Sequence, residues 1–126
     1  MKFKLNGIEW QIEEISQTEI KSIQNMRKGN EEENLKSIND RYYGITYNDD
    51  CIIYLDKGLK EDRKRKALLH ELAHCYITSY ITHEDKSYDE EMVADIVSNS
   101  FDIIQEIANS YFVKKLQTGL DDLKKD

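Results

Sequence analysis

The chain of 126 residues contains no proline. No low-complexity linker or internal repeat interrupts it either, so nothing marks a domain boundary. The length fits one domain that buries roughly two-thirds of its unfolded surface. Cysteine is scarce, and Cys51 and Cys75 form neither a C-x-x-C pair nor a disulfide framework; a reducing compartment keeps both as thiols. No stretch approaches a transmembrane helix, and Met1-Lys2-Phe3-Lys4-Leu5-Asn6 lacks the apolar run of a signal peptide, so the expected compartment is the cytoplasm. Positive charge is in deficit: 18 Lys and Arg against 25 Asp and Glu leave a net charge of −7. Nonspecific attraction to phosphate backbones is therefore excluded as a driving force, and neither a nucleic acid nor a membrane is an expected partner.

Histidine is also rare, with three in the chain, yet two of them share one short word, His70-Glu71-Leu72-Ala73-His74. The word lies in a stretch that reads as a helix from about Leu59 to Ile81. Residues four apart on a helix lie on one face, roughly 5–6 Å apart at Cβ, so both imidazoles reach one metal ion. Glu71 beside them supplies the carboxylate that takes a proton from water in a zinc hydrolase. At 100° per residue, Ala67, His70, Ala73, His74, Ile77 and Ile81 share one broad face, so the two histidines are expected to face the interior. Cys75 reads as a small buried apolar residue. Lys60, Arg63, Lys64, Arg65 and Lys66 read as a solvated basic face.

Before this helix, Asn6-Gly7 between alternating apolar residues predicts a hairpin with strands at about 2–5 and 8–14. Ser16-Gln17-Thr18-Glu19 fits a capping box opening a short helix that frays near Gly29. Residues 27–41 read as a solvated loop or weak helix. Tyr42 to Tyr47 and Cys51 to Leu55, joined by Asn48-Asp49-Asp50, predict a second hairpin. Its second strand, Ile52-Ile53-Tyr54-Leu55, reads either as a half-buried core strand or, at a sheet edge above the metal, as a partner for an extended substrate backbone. After the metal helix come a polar connector, His83 to Ser87, and a long helix from about Tyr88 to Leu116. Its wide apolar arc, from Val93 and Ile96 to Phe112, implies burial against two neighbours. Gly119 to Asp126 reads as a frayed tail.

A catalytic zinc site needs three protein ligands and an open position. A metzincin word is excluded, because Ile77 and Tyr80 stand where glycine and histidine would be required. His83 reads as a surface histidine. Glu91 is the stronger candidate: Glu91-Met92-Val93-Ala94-Asp95 places Asp95 one turn further on, where it would orient a ligand histidine through its free ring N–H. Glu90, Asp89 and Glu84 are alternatives to Glu91, which with Asp95 lies nearly opposite the centre of its helix's apolar arc.

His70-Glu71-Leu72-Ala73-His74 followed by Glu91-x-x-Ala94-Asp95 resembles the gluzincin arrangement. With the hairpin before it, residues 42–112 are similar to the ImmA/IrrE family of small metallopeptidases, particularly the short versions found in phages and mobile elements. The N-terminal third matches loosely, Ile96-Val97-Ser98 departs from the family's usual aromatic-alanine pair, and no helix-turn-helix module is present. The resemblance implies zinc on His70, His74 and Glu91, Glu71 as general base, and a protein or peptide substrate such as a repressor or other regulator. The expected fold is α+β and minimally zincin-like: a small antiparallel sheet of hairpins packed on the metal helix and a long C-terminal glutamate helix. The expected chemistry is amide hydrolysis, with Tyr76, Tyr80, Tyr88 or Tyr111 as possible further donors to the oxyanion. The rival expectation is a peptidase-like protein that sequesters a partner without catalysis.

Overall fold

The computed structural model describes residues 1–28, 43–81 and 90–123. The predicted loop between the first helix and the second hairpin, Tyr42, the connector with His83, the predicted helix start at Tyr88 and the last three residues lie outside them. The fold is α+β, as expected from the sequence.

Local signals set the first elements. β1 (Lys2–Leu5) and β2 (Ile8–Ile15) pair antiparallel, with Leu5 opposite Ile8. The two turn residues, Asn6 at φ 49° and Gly7 at φ 79°, both take positive φ, as a tight turn matched to strand twist requires. α1 (Gln17–Lys28) starts where the capping box predicts: Ser16 Oγ accepts from the Glu19 amide at 3.2 Å and donates to the Glu19 carboxylate at 3.1 Å. β3 (Gly44–Tyr47) and β4 (Ile52–Asp56) form the second hairpin.

The sheet order is β1-β2-β4-β3, and β2 runs parallel to β4, with Ile12 opposite Ile53. The sheet is therefore mixed, two antiparallel hairpins joined by a parallel pair, where hairpin signals alone predicted antiparallel pairing throughout. Hairpin signals are local, and the pairing of one hairpin with another is not. β4 is consequently an interior strand, bonded on both sides. It is the half-buried core strand of the two readings above, and it has no free edge for a substrate; the edge strand is β3.

Strand alternation gives the sheet two covered faces. Tyr47 points to α1, where its hydroxyl donates to Gln24 Oε1 at 2.6 Å and its ring lies under Arg27. Thr46 and Gly44 point the other way, to α2 (Glu61–Tyr80). On that side Leu5, Trp10, Ile12, Ile53 and Leu55 pack with Leu68, Leu72 and Cys75 of α2 and Ile104, Ala108, Tyr111 and Phe112 of α3 (Glu90–Leu123). Cys75 is buried, and burial pushes its thiol pKa up, in keeping with an inert core residue.

α3 departs from expectation in two ways. It continues through Gly119 to Leu123, where a frayed tail was predicted. Among the described residues its apolar arc is buried on one side: Ser100, Ile104, Ala108, Tyr111 and Phe112 are buried, while Val93, Val97 and Phe101 are exposed. No helix among the described residues is long and apolar enough to cross a membrane.

Candidate metal centre

α2 carries the site. Glu61 and Asp62 in its first turn favour the positive end of the helix dipole, and Lys64, Leu68, Leu72, Cys75 and Ser79 form its buried stripe. The first hairpin holds the other end. Asn6 Nδ2 donates to the Ser79 carbonyl at 2.9 Å, the Asn6 amide to the Tyr80 hydroxyl at 3.1 Å, and Trp10 Nε1 to Ser79 Oγ at 2.9 Å. One terminal carbonyl of α2 thus gains a partner from the Asn6-Gly7 turn.

The buried stripe corrects the sequence reading of this helix. His70 and His74 are exposed, not interior, and the face that packs on the sheet is centred on Leu68, Leu72 and Cys75. Apolar residues fall on two sides of α2, and the sheet takes the side bearing the two leucines. The histidines therefore stand at the surface, while the adjacent Glu71 turns inward at 5% exposure.

The three side chains still converge. His70 Nε2 and His74 Nε2 are 3.3 Å apart, and one ligand atom from each of His70, Glu71 and His74 falls within 4.8 Å of the others. Two nitrogens bound to a tetrahedral zinc at roughly 2.0–2.1 Å stand about 3.3 Å apart, so the imidazole spacing fits such an ion. Glu71 Oε2 is the second indication: it is buried and has no hydrogen-bond partner among the described residues. Burial raises the Glu71 pKa above its usual range, while His74, His70 and the Thr46 hydroxyl act in the opposite direction. A buried acid with an unpartnered oxygen beside two imidazole nitrogens has the donor set for a divalent cation and for proton exchange with water.

Glu91 and Asp95 lie in the first turns of α3. Their side chains, and those of Glu90, Asp89 and Glu84, lie outside the described residues. Among the tyrosines proposed as oxyanion donors, Tyr76 and Tyr80 stack at 4.7 Å between ring centroids, and the Tyr80 hydroxyl accepts from Asn6. The Tyr111 hydroxyl donates to Glu14.

Two residues missed in the sequence adjoin Glu71. Thr46 Oγ1 donates to the Glu71 carbonyl at 3.5 Å, and Gly44 brings the β3 backbone against the Glu71 side chain. A glycine inside an aromatic and β-branched run is the available signal, because glycine within a strand often marks a close approach. The chain matches no protein-family model, no curated protein and no solved structure.

Proposed function

We propose that the protein is a cytoplasmic zinc-dependent metallopeptidase, similar to the ImmA/IrrE family, that hydrolyses peptide bonds in a specific regulatory protein. The observation that carries this reading is the buried, unpartnered carboxylate oxygen of Glu71 beside two imidazole nitrogens 3.3 Å apart. A purely structural metal site has no need of such a group.

His70 and His74 would hold the ion, with Glu91 as third ligand and Asp95 as the group that orients an imidazole. Bound zinc would supply Lewis acidity toward water and toward a substrate carbonyl. Glu71 accepts the proton of the attacking water on its carboxylate and returns it to the leaving amine. Its burial suits both steps, since a raised pKa brings the acid and base forms closer in energy at neutral pH.

The edge of β3 offers a place for a substrate backbone. The Asp56 amide donates to the Tyr43 carbonyl at 3.0 Å, so the alternation of an antiparallel ladder turns the N–H and C=O of Gly44 and Thr46 outward. Among the described residues no strand pairs with that edge. A peptide added there as a further strand would lie beside Glu71, and its backbone rather than its side chains would provide the first hold.

Metal content by elemental mass spectrometry tests the reading. The expected result is about one zinc per chain, lost in His74→Ala and kept in Glu71→Gln, with the latter variant unable to cleave the partner. A protein that takes up no zinc overturns the mechanism, and a Glu71→Gln variant with full biological effect points instead to a sequestering protein.

A further inference from the structure

We infer that Gly44 is the positioning residue for Glu71: the missing side chain on β3 sets where the carboxylate stands relative to His70 and His74. The functional half of this inference rests on the peptidase reading; the contact itself does not.

Glycine is a costly choice at this position. It lies in strand β3 and is outside the positive-φ region, where Gly7 alone among the described glycines lies, so the backbone conformation does not call for it. Space does. A Cβ on Gly44 would stand 3.1 Å from Glu71 Cγ, 3.1 Å from Leu55 Cδ2 and 3.4 Å from the Tyr54 carbonyl oxygen. Leu55 is fully buried, so its Cδ2 methyl has little room to give, and Glu71, nearly buried too, presents Cγ from the middle of its side chain and not its free end. Glu71 Cγ is the hinge of its side chain, so moving it by a few tenths of an ångström swings the carboxylate further. His70 and His74 are exposed, and neither supplies any of the three atoms nearest to that Cβ. A methyl group there therefore displaces the base and leaves the imidazoles in place. Thr46, two residues along β3, braces the same helical turn through the Glu71 carbonyl.

The contact is tested first without metal, by thermal melting of Gly44→Ala, Glu71→Ala and the double variant. Gly44→Ala is expected to lower Tm by about 4 °C in the wild-type background, and by at most half as much once Glu71 Cγ is gone. An equal loss in both backgrounds means that Leu55 alone requires the glycine, and overturns the inference. The positioning role is tested with Co²⁺ as the only probe. Gly44→Ala should bind one Co²⁺ per chain with wild-type affinity, while its visible absorption bands move toward those of Glu71→Gln. Bands identical to wild type overturn the positioning role while the peptidase reading stands. A wild-type protein that binds no Co²⁺ overturns that reading and the role of Gly44 with it. In a peptide-cleavage assay the corresponding change is a fall in kcat of about 10- to 100-fold with KM held.

Discussion

At Glu71, stability and the proposed chemistry make opposite demands. Its Oε2 is buried without a partner among the described residues, and an unsatisfied buried acceptor costs about 1–3 kcal/mol. Methionine has similar length and no oxygen to satisfy. Glu71→Met is therefore expected to raise the stability of the metal-free protein by about 1–2 kcal/mol and to abolish cleavage, as read by urea denaturation in the presence of a chelator. A fall in stability would show that the carboxylate is satisfied in solution. The convergence of His70, Glu71 and His74 was legible in the sequence because it depends only on helical spacing. Which of them is buried was not legible. Ala67, Ala73 and Ile77 outline one apolar face of α2, Leu68, Leu72 and Cys75 another, and only the sheet decides between them. Gly44 was equally hidden, since its meaning depends on a helix that reaches it through the tertiary fold.

Elements with short-range signals were read closely. The Asn6-Gly7 turn and the Ser16 capping box place β1, β2 and the start of α1 where the structure has them. The join between the hairpins depends on distant partners and could not be read in the same way, and neither could the end of α3. Beyond Phe112 every residue of α3 is exposed, and Val113, Leu116, Leu120 and Leu123 fall three and four apart on an uncovered side. This end is held by helical propagation from the packed part, which is cheaper than nucleation and tolerates one glycine. A Cβ on Gly119 would meet nothing within 4 Å. Gly119→Ala should thus stabilise the last turns by about 1 kcal/mol, slowing amide hydrogen exchange over residues 113–123 about fivefold while leaving the core amides unchanged.

One carboxylate connects the whole molecule. Glu14, at the end of β2, meets Lys64 of α2 at 2.6 Å, Lys115 of α3 at 2.8 Å and the Tyr111 hydroxyl of α3, so it ties the sheet to the two helices that cover this face. The Lys64 side chain is only 7% exposed, and loss of Glu14 would leave a nearly buried ammonium without its counter-charge. Glu14→Gln is expected to cost on the order of 3 kcal/mol at neutral pH. The pH dependence follows from the same contacts. Burial alone would raise the Glu14 pKa, but hydrogen bonds from Lys115, Lys64 and Tyr111 and the charge of Lys115 outweigh it and hold the group below its ordinary value of 4.5. The folded state therefore binds this proton less readily than the unfolded chain. The stabilisation is complete above the ordinary carboxylate value and is lost as pH falls through the lowered folded one. Urea midpoints of wild type and Glu14→Gln, followed from about pH 7 to pH 3, should differ most at neutral pH and converge in acid. A constant gap across that range would assign the role of Glu14 to its shape and hydrogen bonds and not to its charge.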